Sequence, residues 1–382
     1  MSGDIIVRIA ARGEGVTESG RFAAMTAPGD LVALDGTVTP GPHHQIPPCR
    51  HFPICGGCQL QHVDDAAYAD YLKERIASAL AAQGLAAPDI LEPHLSPPRS
   101  RRRATLKAAG GVVGFNEGAT HRIVDMRECH ILRPELFALV APLRRLLNGR
   151  ASAAMTLADQ GVDLLLEGIA ADTLDAAEAM TAFARDNGLA RLALDDGYGA
   201  QTIWEPEPVT VTLSGTPVAL PHGAFLQATG EGEAALVEAV REAVGDAGLV
   251  ADLFAGLGTF ALALSGKVYA AEGARDAALA LKAAARGLFV DHRDLFRRPL
   301  DVAELNRFEA VVLDPPRAGA REQTPLLAAS NVPKIAYVSC NPATFARDAK
   351  LLIDAGYRLD WVRPVGQFRW STHAELAACF SR

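Results

Sequence analysis

No apolar run in this 382-residue chain reaches the eighteen or so residues that a membrane-spanning helix needs. The opening Met-Ser-Gly-Asp-Ile-Ile-Val-Arg has no basic stretch followed by a long apolar core, which argues against a secretion signal. Internal repeats and low-complexity tracts are absent too. Positive charge is not in excess: 37 Lys and Arg against 45 Asp and Glu leave a net charge of −8. That balance argues mildly against a nucleic-acid partner, because phosphate contacts need basic side chains. What remains is a soluble globular composition, 49% hydrophobic and 21% charged, in a chain too long for one core. Two or three domains, a cytoplasmic location and no membrane contact are the expectations.

The charge distribution qualifies the total. Arg99, Arg101, Arg102, Arg103 and Lys107 fall within nine residues that contain no acid. Acidity elsewhere does not cancel such a strip beyond a Debye length of about 8 Å. Taken alone, it reads more simply as a solvated face. The six cysteines, Cys49, Cys55, Cys58, Cys129, Cys340 and Cys379, are clustered in a chain without an export signal. That pattern favours metal or catalytic use over disulfides.

Three regions differ in texture. Residues 1–42 alternate short apolar runs with turn residues (Ile5-Ile6-Val7, Arg21-Phe22-Ala23, Leu31 to Leu34), which reads as a small β module. Residues 43–208 begin with Pro47-Pro48 and the cysteine segment. A helix follows from Asp64, a plausible N-cap, to Gln83, with Tyr68, Tyr71, Leu72, Ile76 and Leu80 at helical spacing. Mixed strands and helices complete this middle region, with helices expected near 134–148 and 173–188. In residues 209–382, buried parallel strands at 249–254, 267–271, 310–313 and 335–338 alternate with helices near 231–244, 274–287 and 343–355. This is a doubly wound α/β pattern, whose ligands bind beyond the carboxyl ends of the strands.

Asp252-Leu-Phe254-Ala-Gly256-Leu-Gly258-Thr259 follows the first of those strands and is expected to open a helix. Glycines there let the backbone turn tightly and approach a nucleoside. The third glycine of a dinucleotide fingerprint is missing. Glu272 ends the next strand, twenty residues after Asp252, where a carboxylate can take two ribose hydroxyls. Asp294 follows the next apolar segment, within reach of an adenine edge. Each acid alone is an ordinary strand-end residue; three in register favour S-adenosylmethionine over a dinucleotide.

Cys340, in Val338-Ser339-Cys340-Asn341-Pro342, lies 26 residues after Asp314-Pro315-Pro316-Arg317. Free cysteines are commonly buried and inert. A thiol is nevertheless the best nucleophile near neutral pH, and this one follows a nucleotide-binding turn and a strand-end Asp-Pro-Pro. The combination points to covalent attack on a planar base.

From about Pro47 onward these motifs resemble the RNA uracil-C5 methyltransferases. The matching residues include Cys49-x5-Cys55-Gly-Gly-Cys58, Gly114-Phe115, Cys129, Phe225-Leu-Gln227, Asp314-Pro-Pro-Arg317, Ser339-Cys340-Asn341-Pro342 and His373-Ala-Glu375. The resemblance implies a Rossmann-like methyltransferase domain over 209–382, a mixed α+β middle domain over 43–208, and a shortened TRAM-like RNA-binding module over 1–42. It implies Cys340 as nucleophile and Glu375 as general base. Gln227, Phe254, Gly256, Gly258, Thr259, Glu272, Asp294 and Asp314 would serve the cofactor, and Phe225, Asp314 and Arg317 the uracil. Gln367-Phe368-Arg369-Trp370 departs from the family's usual Phe-Pro stretch, and Thr229 and Thr259 are further departures.

Cys49, Cys55, Cys58 and Cys129 form a four-thiolate set, and spacing alone leaves zinc and an iron–sulfur cluster both open. The resemblance implies a [4Fe-4S] cluster and, with it, the ribosomal-RNA branch of the family. The implied substrate is a single-stranded or flipped uridine of 23S ribosomal RNA, and the implied state a monomer. Transfer RNA is the alternative substrate, and a catalytically idle RNA-binding or assembly protein is the rival of a different class.

Overall fold

The computed structural model describes residues 3–118 and 120–382. Its C-terminal part is organised on a nine-stranded sheet. Leu249–Leu253, Lys267–Glu272, Phe289–His292, Ala310–Leu313 and Lys334–Ser339 lie parallel, as near-continuous apolar runs covered on both faces require. Across the sheet the order is 289–292, 267–272, 249–253, 310–313, 334–339, 375–381, 358–366 and 89–90, and 94–95 pairs with 358–366 as well. The winding reverses between 249–253 and 310–313, and a crevice opens there.

Helices cover both faces. Gly230–Val244 packs Leu236 and Val240 against Val250, Val312 and Val338 on one side. Pro342–Asp354 packs Phe345, Ala349 and Leu352 against Leu253, Val311 and Tyr337 on the other. The Thr229 hydroxyl caps the first helix at Gly232 N (3.0 Å), and the Asn341 side chain caps the second at Ala343 N (3.1 Å).

The expected helix after Gly258 is only an irregular helical turn. Leu262 N bonds Gly258 O and Leu264 N bonds Phe260 O, but no regular helix spans 255–263.

Helix Asp65–Ala82 begins as its cap predicts, with Ala67 N donating to Asp64 Oδ1 at 2.9 Å. Its packing crosses the division at residue 208. Ile76 and Leu80 join the core of the C-terminal sheet, while Tyr68, Tyr71 and Leu72 pack with Ile9, Leu60 and Ala374. Asp89–Ile90 and His94–Leu95 then extend the C-terminal sheet along Arg358–Gly366. Periodicity reveals an apolar stripe but not the surface it covers, so the sequence put this segment with the middle region.

The rest of the middle region forms a six-stranded sheet in the order 201–204, 189–195, 161–167, 151–158, 103–109 and 112–114. Helices Pro134–Ala138, Val140–Leu146 and Leu174–Asp186 accompany it, so the single helix expected over 134–148 is two that meet at Leu139. Residues 3–39 form a five-stranded antiparallel sheet. Among the described residues no helix is long and apolar enough to cross a membrane.

The run of basic residues does not form one solvated strip. Arg101 is half-buried, its guanidinium 5.8 Å from the Phe115 ring centroid and 5.0 Å from that of Phe368. Arg102 turns inward to Glu233 (2.5 Å) and Gln227 O (3.1 Å). Internal carboxylate, carbonyl and aromatic partners have claimed two of the five cations.

Candidate active site

The functional side chains converge because parallel strands end at one edge and the antiparallel last strand begins there. Cys340 directly follows Lys334–Ser339, and Glu375 opens Glu375–Ser381, with Ser339 opposite Leu376. Thirty-five residues of sequence are thereby reduced to neighbouring positions. Phe254, Glu272, Asp294 and Asp314 occupy or follow the ends of the other parallel strands.

A cleft of about 680 Å³ opens at this edge. One limb is lined by Phe254, Gly256, Thr259, Glu272 and Asp294, and the other by Phe225, Gln227, Asp314, Arg317, Cys340 and Glu375. Gly258 is the exception among the expected residues. It does not line the cleft; with φ +94°, a Cβ there would come within 2.4 Å of Leu281 Cδ1. A glycine there permits the close packing of the turn on the helix Arg275–Ala284.

The first limb is held by backbone donors. Glu272 accepts from Gly256 N (2.7 Å) and Ala274 N (2.6 Å), which fixes the glycine turn against the next strand. Asp294 Oδ1 accepts from Phe296 N at 3.0 Å. Phe296, which the sequence reading missed, packs on Phe254 with ring centroids 5.5 Å apart. The two rings, the half-buried Glu272 and the exposed Asp294 suit an adenosine, with an apolar face for the base and carboxylates that can accept from hydroxyls. Behind them Asp252 is fully buried; desolvation and the nearby Asp314 push its pKa up to about 8.

The second limb contains the reactive groups. Desolvation, then the charge of Asp314, raises the Glu375 pKa to about 8, against the opposing effects of Gln367 and Arg317. Desolvation and Glu272 raise Asp314 to about 7. Burial, and then Glu375 and Asp314, push the Cys340 thiol upward, while Arg317 pulls it down. Each of these groups disfavours the charged form of its neighbours, so their titrations are coupled. Arg317 donates to His373 Nδ1 at 2.7 Å, and its loop is tied by Asn341 Nδ2 and Thr344 Oγ1 to Arg317 O (3.1 and 3.2 Å). Phe225 stands exposed at the mouth, with the Arg103 guanidinium 5.0 Å from its ring centroid.

Gln367 is the main residue the sequence reading undervalued. It is buried, and its amide reaches Glu375, Gln227 Oε1 (2.7 Å) and Thr229 N (3.3 Å). Sequence offered only its place in the departing Gln-Phe-Arg-Trp stretch.

Cys49, Cys55, Cys58 and Cys129 line a second, far smaller cavity of about 20 Å³, together with Phe52 and Phe115. Burial raises all four thiols, Cys58 to about 12. Among the described residues, no three His, Cys, Asp or Glu side chains approach as the ligands of a single metal ion. Cys379 stands apart, buried in the last strand near Asp360.

A family model described as tRNA (Uracil-5-)-methyltransferase matches residues 287–382, the segment that carries Asp294, Asp314, Cys340 and Glu375. An uncharacterized RNA methyltransferase of Zymomonas mobilis is 53% identical over 393 residues, 99% of each chain. The 23S rRNA (uracil(1939)-C(5))-methyltransferase RlmD of Alkalilimnicola ehrlichii is 31% identical over 377 residues, 90% of this chain and 84% of that one. Among solved structures, the Pyrococcus abyssi tRNA (uracil-54, C5)-methyltransferase in complex with S-adenosyl-L-homocysteine shares the fold. Its TM-score is 0.74 at 21% identity, over 99% of both chains. A thiol and a carboxylate on neighbouring strands at one end of the sheet are thus matched by likeness along the whole chain, which belongs to the RNA (uracil-C5) methyltransferase family.

Proposed function

We propose that this protein methylates C5 of a uracil in 23S ribosomal RNA, with S-adenosylmethionine as methyl donor, Cys340 as nucleophile and Glu375 as general base. The observation that carries the reading is the meeting of Cys340 and Glu375 in one cleft with Asp314 and Gln227. The ribosomal substrate is drawn from the 31% identical relative. The adenosylmethionine reading rests on the limb lined by Phe254, Glu272 and Asp294, and it would supply the electrophilic methyl group.

Uracil C5 is electron-poor, so it needs activation. Attack of the Cys340 thiolate on C6 forms a C–S bond and moves the ring electrons towards O4, leaving nucleophilic carbon at C5. C5 then takes the sulfonium methyl, and S-adenosylhomocysteine departs. Glu375 removes the C5 proton; the electron pair left behind re-forms the C5–C6 double bond and expels the thiolate. A raised pKa makes Glu375 a stronger base for this step. Gln227 and Asp314 hold the edge of the ring, and Arg317 offsets negative charge beside the thiol. The target must leave its stack to enter, and Phe225 at the mouth offers a ring against which a base can stack.

Cys49, Cys55, Cys58 and Cys129 would hold a [4Fe-4S] cluster. Support comes from the four thiols lining one cavity, since a cubane is held by four cysteine thiolates. A bound cluster would cross-link residues 49–58 to the loop at 129. The short N-terminal sheet would add RNA contacts.

The test is a covalent trap. With adenosylmethionine and 5-fluorouridine RNA, the wild type should form an adduct that survives denaturation, because fluorine cannot leave as a proton. Cys340→Ala should form none and should lose methylation while still binding the cofactor. An active Cys340→Ala enzyme would overturn the assignment. Methylation of transfer RNA instead of 23S RNA would move the substrate, and no methylation of any RNA would favour an idle binding protein.

A further inference from the structure

We propose that Gln367 is a positioning residue that fixes the hydrogen-bond polarity of Glu375 and Gln227. This rests on the reading of Glu375 as the base.

A primary amide carries two N–H donors and one carbonyl acceptor. The Gln367 carbonyl accepts from Thr229 N at 3.3 Å. Its nitrogen lies against two acceptors, Gln227 Oε1 at 2.7 Å and a Glu375 carboxylate oxygen. Reversing the amide would set its oxygen against both of those oxygens and its NH₂ against a backbone N–H. The Thr229 backbone N–H cannot turn to accept, so it holds the Gln367 oxygen towards itself and the amide nitrogen towards Gln227 and Glu375.

The rotamer is fixed by packing as well. Gln367 is 2% exposed, and it lies over Gly232 so closely that a Cβ there would come within 2.3 Å of Gln367 Cγ. The Thr229 hydroxyl caps at Gly232 N, and its backbone N–H faces Gln367, so the start of helix Gly230–Val244 anchors the amide.

Two consequences follow at the cleft. Gln227 must point its oxygen towards Gln367, which turns Nε2 towards Asp314 Oδ2 (3.4 Å) and makes it a donor on that side. Glu375 keeps one oxygen occupied by a fixed donor, which favours the charged carboxylate and leaves the other oxygen for the C5 proton. Asp314, Arg317 and Cys340 are the other ionisable groups facing Glu375. Asp314 raises its pKa, whereas Gln367 and Arg317 lower it. Removing the amide donor should therefore raise the pKa of Glu375 further.

The experiment uses Gln367→Met, which keeps the length and unbranched shape but has no donor. Single-turnover methylation and adduct resolution are followed from pH 6 to 10 with the full-length enzyme and its substrate RNA. We expect a roughly ten- to hundredfold slower resolution of the methylated adduct at pH 7, the size of a lost hydrogen bond to a charged group. The deficit should shrink as pH rises, because Glu375 ionises at higher pH without its donor. Adenosylmethionine affinity should change less than about threefold. A uniform loss at every pH, or a loss that tracks a fall in melting temperature, would reduce Gln367 to a packing residue. Loss of cofactor affinity with normal adduct resolution would also overturn the proposal. Glu375→Gln is run in parallel: if it traps no methylated adduct, the reading of Glu375 itself fails, whereas trapping there with normal resolution in Gln367→Met removes Gln367 alone.

Discussion

The cleft at the sheet edge and the cavity between the cysteines both gather groups whose charged forms are disfavoured by burial, yet they manage that cost differently. In the cleft, each acid has a designated partner. Glu272 takes two backbone N–H groups, Glu375 takes Gln367, and Arg317 stands near Cys340 and Glu375. The space left, about 680 Å³, is large enough for a nucleoside and a base. Around the cysteines the space is about 20 Å³, and the thiols raise one another's pKa, with Cys55, Cys49 and Cys129 all acting on Cys58. One site is arranged for groups that change protonation as a visitor reacts. Under the proposed reading the other is a permanent mount, whose thiolate charge would be balanced by the cluster it holds.

The largest effect that sharpens this comparison is expected at Glu375. Glu375→Gln should still add the thiol and accept the methyl group, but stall before elimination, with proton transfer slowed by roughly 10²–10⁴. Denaturing gels should show a methylated protein–RNA adduct that the wild type resolves. Normal turnover without trapped RNA would dissolve the distinction between a protonation-switching cleft and an inert one.

An intermediate effect is expected at the cysteines. Protein purified without oxygen should contain about four irons per chain. Serine at Cys49, Cys55, Cys58 or Cys129 should remove the iron, whereas Cys379→Ser should retain it. Stoichiometric zinc without iron would turn the mount into a zinc site and require the thiols to close in on one ion.

The smallest effect concerns Asp252, which lies in the cleft's wall and not on its surface. Its folded pKa of about 8 stands above the ordinary 3.8, so the folded state binds the extra proton more tightly. Its contribution to stability is complete below pH 4 and is lost as pH rises through about 8. Asp252→Asn keeps the acceptor for Ala261 N (2.8 Å in the wild type) but cannot ionise. Thermal melts should show near-equal midpoints at pH 4 and an advantage for the variant that grows up to about pH 8, on the order of several degrees. Parallel curves across that range would mean that Asp252 ionises as readily folded as unfolded.

Much of the site was legible in the sequence because strand ends in a doubly wound sheet point to one edge. A carboxylate or thiol directly after an apolar run, as at Glu272, Asp314 or Cys340, is placed there by the backbone alone. The same rule could not find Gln367 or Phe296. Each matters through a partner distant in sequence or a side-chain contact, Gln367 through Gln227 and Thr229, and Phe296 through Phe254. Nor could it show that a Cβ at Gly258 would meet Leu281 on the helix behind it.

Local pattern and residue chemistry alone carried the alternation of strand and helix, the candidates for the reacting groups, and the grouping of four cysteines. Tertiary structure decided which groups face each other. It brought Glu375 beside Cys340 by running the last strand antiparallel, and it fastened helix Asp65–Ala82 to the catalytic sheet. It also drew Arg101 and Arg102 out of a basic run into the interior. The physical reason is common to all three. A backbone's periodicity fixes the direction in which a side chain leaves the chain, but its partner, and hence its charge and its role, depends on which surface is packed against it.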